Sequence, residues 1–256
     1  MSDTILRLRT AIEHTILKPD TIPADIQRIC REAAEYGFAA VCVPPYYVTD
    51  AAELLQESAV ELATVIGFPY GYSSLMAKFE EAEDALAQGA DHLDVVINIA
   101  AVKAGDWDTI NNEMDMLTRL VHTEGKVIKY IAETGLMTEI ETDLICRMAN
   151  DHGIDYLKTS TGVNGPGASV EQVTSLRKLL RADIRIKASG GIRTREDAIA
   201  LLDAGADRLG TSSGVALMAD NASCYLLTLN YAVPVFHHLH HRYAQRPGTA
   251  RQRGHS

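Results

Sequence analysis

The sequence predicts an α/β fold, a single-domain (β/α)8 TIM barrel in which eight parallel strands alternate with helices. The first indication is a recurring joint, in which an alanine-rich amphipathic helix, one glycine and a short apolar run follow each other. The joints lie at Gly37, Gly89, Gly153 and Gly205, and glycine suits the left-handed position that ends a helix. Their spacing leaves room for two strand–helix units in each interval, which predicts further strands between them.

The second indication is a set of eight short apolar runs. In chain order these predicted strands are Ile12–Ile16, Ala40–Val43, Ala63–Phe68, Leu93–Ile97, Val127–Ile131, Tyr156–Thr159, Ile184–Ala188 and Arg208–Thr211. Segments with helical periodicity, such as Ala77–Gln88 and Glu196–Ala204, separate the runs. A doubly wound open sheet is the alternative architecture, but it usually has fewer strands, and no G-x-G-x-x-G turn follows the first strand.

Composition narrows the function classes. The 256 residues contain 24 Lys and Arg against 34 Asp and Glu, which gives a formal net charge of −10. This acid excess argues against a nucleic-acid partner, because neutralising phosphates requires clustered lysine and arginine. A small phosphorylated ligand remains compatible, since a few local groups are enough to bind it. No apolar run is long enough to span a membrane, and the N-terminal segment lacks the apolar stretch of a signal peptide.

The cysteines favour a reducing compartment. Cys30, Cys42, Cys146 and Cys224 lie far apart and form no C-x-x-C pair. The spacing therefore indicates neither a zinc knuckle nor a thioredoxin motif, and four cysteines in a chain of this length are too few for a disulfide scaffold. We expect a soluble, cytoplasmic protein that forms no membrane contacts.

The chain divides at its C-terminal end. We expect residues 1–236 to form the barrel and residues 237–256 to form a basic, disordered tail. This tail holds five of the nine histidines, four arginines and no acidic residue, a composition typical of a solvated terminus. The alternatives are adventitious metal binding through the histidines, or a flap over the functional site.

Charged residues interrupt the central strands. The fourth to seventh strands carry Asp94, Lys129, Lys158 and Lys187 inside runs that should be buried on both faces. A single lysine at a strand start could reach solvent along its own side chain, but three on consecutive strands indicate a site. Because alternate residues share a face, the same inward faces are expected to hold Asn98, Glu133, Ser160 and Ser189.

The neighbouring lysines point to a nucleophile. Lys158 and Lys187 lie on adjacent predicted strands, so their amino groups should be close together. Like charge and burial both disfavour ionisation, which lowers the pKa of one of the two. A lysine that is neutral near pH 7 is what a Schiff-base nucleophile requires.

Two loops fit a phosphate group. Ser189-Gly190-Gly191 and the run from Gly210 to Gly214, which includes Ser212 and Ser213, follow the seventh and eighth strands. In this fold those two loops commonly bind phosphate through backbone amides and hydroxyl groups. Thr161-Gly162 after the sixth strand is expected to extend the cradle. The alternative is ordinary turn chemistry.

At these residues the chain resembles the deoxyribose-phosphate aldolase family of class I aldolases, whose fold is a (β/α)8 barrel. The resemblance runs from about Ile12 to Gly214. The segments that carry it are His14–Pro19, Val65–Pro69, Gly89–Ile99, Asp155–Gly162 and Lys187–Thr194. The combination of lysine-threonine-serine-threonine-glycine with lysine-x-serine-glycine-glycine is highly specific.

The resemblance implies roles for individual residues. It assigns the Schiff-base lysine to Lys158, the lysine that tunes it to Lys187, and the proton-shuttling aspartate to Asp94. It places Lys129 near that aspartate and Cys42 at the edge of the site. The phosphate contacts that it implies are Gly162, Gly190, Gly191, Ser212 and Ser213.

The resemblance also implies an activity: reversible cleavage of 2-deoxy-D-ribose 5-phosphate to acetaldehyde and D-glyceraldehyde 3-phosphate, in deoxyribonucleoside catabolism. It implies a phosphorylated sugar or aldehyde as substrate, no cofactor and no metal, and a homo-oligomer that is a dimer or a tetramer. Two alternatives remain open. One is a Schiff-base aldolase of the same fold with another donor or acceptor aldehyde, and the other is a non-catalytic barrel that binds phosphosugars.

The chain departs from the family pattern at several places. Glu13 stands where aspartate is usual, and Val163-Asn164 replaces phenylalanine-glycine after the sixth strand. Residues 72–76 and 131–133 also differ, and the C-terminal tail is longer than usual. None of these changes falls on Lys158, Lys187 or Asp94, but the altered loops lie where the far end of the aldehyde is expected.

Overall fold

The computed structural model describes residues 3–219, and within them eight parallel strands form a closed barrel. Each strand pairs with the next in sequence, and the last pairs with the first. The strands are β1 (Ile12–Thr15), β2 (Ala40–Val43), β3 (Glu61–Ile66), β4 (His92–Val96), β5 (Val127–Ile131), β6 (Tyr156–Lys158), β7 (Arg185–Ser189) and β8 (Arg208–Thr211). The (β/α)8 prediction is confirmed, and the predicted strand boundaries differ from these by three residues or fewer.

Helices join the strands and form the outer layer. They are α1 (Asp3–Ala11), α2 (Pro23–Tyr36), α3 (Val48–Leu55), α4 (Leu75–Ala87), α5 (Ile99–Ala104), α6 (Trp107–Thr123), α7 (Glu139–His152), α8 (Val170–Leu179), α9 (Arg195–Asp203) and α10 (Gly214–Met218). The helix α1 was not expected from the sequence; it packs against α9 and α10 and buries Leu8. The proposed boundary at residue 236 and the tail 237–256 lie outside the described residues.

Side-chain caps explain where several helices begin. Ser74, Asp106, Thr138 and Ser169 each accept a hydrogen bond from a backbone amide in the first turn of the helix that follows. Such caps satisfy amides that have no partner inside the helix. These short polar residues therefore mark where α4, α6, α7 and α8 begin.

The packed core lies between the barrel and its helices. Outward residues of the strands, such as Val41, Leu93 and Leu157, are fully buried against the helices. The barrel interior is different, because charged side chains fill its centre and a small apolar cluster of Cys42, Ala63 and Val65 lies to one side. Within residues 3–219, the structure contains no helix with the length and apolar character of a membrane span.

Candidate active site

Strand register brings the predicted charged residues together. Asp94 on β4 lies beside Lys129 on β5, and Lys158 on β6 lies beside Lys187 on β7. All four side chains point into the barrel and are at most 3% exposed. The structure therefore places the three lysines and the aspartate in one buried cluster.

Asp94 is the centre of this cluster. Its Oδ2 accepts hydrogen bonds from Lys158 Nζ and from Lys187 Nζ, both at 2.7 Å. Its Oδ1 accepts from Lys129 Nζ at 2.9 Å. The two lysines that were expected to be close together thus share a single carboxylate oxygen.

A second carboxylate completes the cluster. Glu13 on β1 is fully buried, and its Oε2 contacts Lys187 Nζ and lies 3.4 Å from Lys129 Nζ. In the sequence, Glu13 is a departure from the family pattern and has no predicted function. A charged residue inside the apolar run of the first strand was the available signal, the same signal that identified Asp94.

The charge count is informative because the cluster is buried. It contains three lysines, Lys129, Lys158 and Lys187, against two carboxylates, those of Glu13 and Asp94. Unpaired buried charge is costly, and a group in that position shifts its pKa and becomes neutral instead. The cluster is electrically balanced when one lysine is neutral.

Local electrostatics favour Lys158 as the neutral lysine. Burial lowers the pKa of Lys158, the attraction of Asp94 raises it, and the repulsion of Lys187 lowers it, with a net lowering. Burial also lowers the pKa of Lys187, but Asp94 and Glu13 outweigh this effect and raise it above the ordinary value. Two carboxylates therefore keep Lys187 cationic, whereas Lys158 contacts only one of them.

The carboxylates stay ionised. Burial raises the pKa of Asp94, but Lys129, Lys158 and Lys187 outweigh burial and hold that pKa well below its ordinary value. For Glu13 the balance is similar, since Lys129 and Lys187 overcome burial and lower the pKa to about 2.

Cys42 lies inside the barrel beside this cluster. Its side chain is fully buried and packs with Ala63 and Val65. Burial raises the pKa of the thiol, and the nearby Lys187 only partly opposes this. Because the thiolate is the reactive form, Cys42 supplies a small apolar wall and not a nucleophile.

The predicted phosphate loops lie at the same end of the barrel as the lysines. Gly162, Gly190 and Gly191 all have left-handed φ angles, between 78° and 88°, which favour glycine. Gly162, Gly191 and Ser212 are exposed to solvent. Amides and a hydroxyl group are therefore accessible at the carboxyl ends of β6, β7 and β8.

Other predicted mouth residues have different roles. The side-chain oxygen of Asn98 caps α5 by accepting from Ala101, because β4 ends at Val96 and the alternation of faces does not continue to residue 98. Ser189 Oγ donates to Ser160 O at 2.6 Å and ties the ends of β6 and β7 together. The hydroxyl of Thr161, a residue predicted for the phosphate cradle, donates to Glu133 at 2.5 Å.

Comparisons with known proteins agree with this geometry. The model of the DeoC/LacD family of aldolases matches residues 9–219. The deoxyribose-phosphate aldolase of Streptococcus suis is 46% identical over 214 residues, which cover 83% of this chain and 96% of the relative. The enzyme of the same name from Thermococcus gammatolerans is 46% identical over 81% of this chain and 93% of its own length.

Solved structures show the same barrel. A deoxyribose phosphate aldolase from Aeropyrum pernix, described as a tetramer, matches with a TM-score of 0.78 at 32% identity. That match covers 84% of this chain and 95% of the other. An aldolase named QR15 matches with a TM-score of 0.79 at 36% identity, over 85% of this chain and 95% of its own. On the family match and these identities, the chain belongs to the DeoC/LacD family of aldolases.

Proposed function

We propose that this protein is a class I aldolase, a lyase that reversibly cleaves 2-deoxy-D-ribose 5-phosphate into acetaldehyde and D-glyceraldehyde 3-phosphate. The observation that carries the proposal is the pairing of Lys158 and Lys187 on Asp94 Oδ2, in which one lysine has a lowered pKa and the other a raised one. The names of the relatives from Streptococcus suis and Thermococcus gammatolerans support this choice of substrate.

The first step forms an imine on Lys158. The neutral amine of Lys158 attacks C1 of the open-chain aldehyde and gives a carbinolamine. Loss of water then leaves an iminium ion. Asp94 accepts hydrogen bonds from both Lys158 and Lys187, so it is positioned to carry protons between these lysines and the carbinolamine.

The second step breaks the bond between C2 and C3. The C3 hydroxyl gives its proton to the Asp94 carboxylate, the C3 carbonyl forms, and the electron pair of the broken bond moves into the iminium to give an enamine. D-glyceraldehyde 3-phosphate leaves. Protonation of the enamine at C2 and hydrolysis of the resulting imine release acetaldehyde and restore the Lys158 amine.

Lys187 acts in these steps as a permanent cation. Its ammonium group is held by Asp94 and Glu13 and keeps the pKa of Lys158 low. The loops containing Gly162, Gly190 and Ser212 supply phosphate contacts in this proposal. Binding energy from the phosphate then orients the reacting carbons, which lie at the other end of the substrate.

The test is reductive trapping. The full-length protein is incubated with deoxyribose 5-phosphate and borohydride, and the modified peptide is located by mass spectrometry. A reduced adduct on Lys158, absent from the Lys158→Leu variant, is the expected result. An adduct on another lysine would contradict the assignment of roles. Trapping with pyruvate but not with acetaldehyde would favour an aldolase with another donor, and no adduct on folded protein would favour a binding protein.

The proposal also covers the compartment, the oligomeric state and the domain boundary. The enzyme is a homo-oligomer, a dimer or a tetramer, and it is cytoplasmic. The described cysteines Cys30, Cys42 and Cys146 are free and buried, which suits a reducing compartment. In this proposal the aldolase domain ends at residue 236. Light scattering tests the oligomer, and deletion of residues 237–256 should leave the melting temperature unchanged.

A further inference from the structure

Glu133 adopts a conformation that needs an explanation. It follows β5 with φ 49° and ψ 51°, and in the described part of the chain no other non-glycine residue has a positive φ. Left-handed geometry costs about 1 kcal/mol or more for a residue with a side chain. The Glu133 side chain is also fully buried. Its surroundings must therefore hold it in place.

Donors from the loop after β6 surround the Glu133 carboxylate. Thr161 donates to it through its hydroxyl at 2.5 Å and through its backbone amide at 3.3 Å. Asn164 Nδ2 donates to Glu133 Oε2 at 3.2 Å. Within residues 3–219 no ion pair involves Glu133, so these loop donors are the hydrogen-bond partners of its buried carboxyl oxygens. The left-handed backbone of Glu133 turns its carboxylate toward this loop.

Asn164 connects the loop to a third part of the mouth. Its Nδ2 also donates to the carbonyl oxygen of Pro69, after β3, at 2.6 Å. Both partners of Nδ2 are acceptors, which fixes the amide nitrogen as the donor. Pro69 and Asn164 follow β3 and β6, so their hydrogen bond runs past the ends of β4 and β5, where Asp94 and Glu133 originate. We call Pro69, Glu133, Thr161 and Asn164 the mouth clamp.

The mouth clamp adjoins the predicted phosphate loop. Thr161 is bonded to Glu133 and directly precedes Gly162, which has a φ of 81°. The Gly162 backbone lies against Gly190, since a Cβ built on Gly190 would lie 3.3 Å from the Gly162 Cα. Fixing Thr161 therefore fixes the Gly162 amide and its position relative to the loop after β7.

We propose that the mouth clamp preorganises the Gly162 loop for the phosphate group of the substrate, and that Asn164 is the positioning residue that closes it. This inference rests on the proposed function. Glycine, the residue usual at this position in the family that the sequence resembles, has no side chain to reach either Pro69 or Glu133. A preorganised loop binds phosphate without first losing conformational freedom. The clamp is thus a property of this chain that selects phosphorylated over unphosphorylated substrates.

The experiment compares 2-deoxyribose 5-phosphate with 2-deoxyribose in the wild type and in Asn164→Ala. The expected result is a KM for the phosphorylated sugar that rises about tenfold, a modest effect for a variant that loses the hydrogen bonds from Asn164 Nδ2 to Pro69 and Glu133, with kcat within about twofold. The kcat/KM for 2-deoxyribose should change far less. Asn164→Asp, which places a carboxylate beside two acceptors, should raise the KM further. Val163→Ala, at an exposed side chain in the same loop, is the matched control.

Equal losses for both sugars, or no loss for either, would overturn the link between clamp and phosphate. Hydrogen exchange of the unliganded protein gives a second readout that does not need activity. Asn164→Ala should speed exchange at the amides of residues 161–164, and unchanged exchange would overturn the clamp itself. If the wild type fails to cleave deoxyribose 5-phosphate, the proposed function fails, while the exchange comparison still decides whether the clamp exists.

Discussion

Glu13 and Lys187 form a buried ion pair across β8, although 174 residues separate them in the sequence. Glu13 lies on β1 and Lys187 on β7, so the intervening strand has to let the two side chains meet. Gly210 on β8 pairs in register with Glu13, and a Cβ built on it would lie 3.0 Å from Lys187 Cε. Because residue 210 is glycine and has no side chain, it leaves the space in which the ion pair forms.

The first prediction concerns that space. Gly210→Ala should displace Lys187, because the new methyl group would lie 3.0 Å from Lys187 Cε and 2.9 Å from Ser189 Cβ. Overpacking of this kind costs about 1 to 3 kcal/mol, and a displaced ammonium group weakens the tuning of Lys158. We expect a lower melting temperature together with a reduced kcat for deoxyribose 5-phosphate cleavage.

Gly165→Ala is the matched control for stability in that experiment. Its φ lies outside the left-handed region, and the nearest atom to its built Cβ is 3.4 Å away. Its melting temperature should stay close to that of the wild type. A Gly210→Ala protein with wild-type stability and kcat would show that Lys187 does not depend on this gap.

The second prediction is a pH dependence of stability that depends on Glu13. Its folded pKa of about 2 lies below the ordinary value of 4.5. A lowered folded pKa stabilises the native state above pH 4.5, and this stabilisation is lost as the pH falls toward 2. The difference corresponds to about 3 kcal/mol at neutral pH. Urea unfolding should therefore show Glu13→Gln to be much less stable than the wild type at pH 7.

The difference in unfolding free energy between the wild type and Glu13→Gln should narrow below about pH 4.5, where the wild type begins to lose the contribution of ionised Glu13. Glu80→Gln on the exposed face of α4 serves as the control, since an ordinary surface substitution changes stability by about 0.5 kcal/mol or less. A gap for Glu13→Gln that is the same at pH 7 and pH 3 would contradict the ion pair.

The third prediction tests the tuning of Lys158. Repulsion from Lys187 is one of the causes that lower the pKa of Lys158. Lys187→Leu removes this repulsion and leaves Asp94 to favour the ammonium form, so the pKa of Lys158 should rise. The alkaline shift of the rising limb of the pH–rate profile measures this change, besides a slower reaction.

Lys129→Leu is the informative comparison, because Lys129 contacts Asp94 Oδ1 whereas Lys158 and Lys187 share Oδ2. It should shift the profile less than Lys187→Leu. Circular dichroism must show both variants folded, since either one leaves buried carboxylate with fewer partners. An unchanged rising limb in folded Lys187→Leu would contradict the claim that Lys187 lowers the pKa of Lys158.

The sequence carried most of the information on the fold and on the charged cluster. Alternating apolar runs and helix-ending glycines such as Gly37 are local signals, so they predicted the barrel. Lysine inside a buried strand is costly wherever the strand goes, so Lys158 and Lys187 stood out. The alternation rule failed at Asn98 and Glu133, because strand geometry ends before those residues and turns or caps take over.

Contacts between distant segments could not be predicted in the same way. The bond between Asn164 and Pro69 joins residues 95 positions apart, and neither residue has a local pattern that indicates the other. Lys78 lies on an amphipathic helix, where lysine normally faces solvent, yet it is fully buried. Only packing of α4 on α6 brings it to Glu113.

The fourth prediction concerns that pair. Lys78 Nζ lies 2.6 Å from Glu113 Oε2 and donates to Val96 O at 2.7 Å, just beyond Asp94 on β4. Burial lowers the pKa of Lys78 and raises the pKa of Glu113, and in both groups it outweighs the attraction between them. The charged pair therefore costs more desolvation than its attraction returns.

Single and double substitutions should then behave differently. Lys78→Met leaves Glu113 buried without its cation, which should cost about 3 to 5 kcal/mol in urea unfolding, and Glu113→Leu should cost a similar amount by leaving Lys78 unpaired. The double variant removes both charges, so its stability should return close to that of the wild type. A double variant much less stable than the wild type would mean that the pair stabilises the fold by more than its burial costs, contrary to the pKa shifts of both residues. Losses that simply add would mean that the two side chains do not interact. Because Lys78 supports the end of β4, the single variants should also lower kcat by moving Asp94.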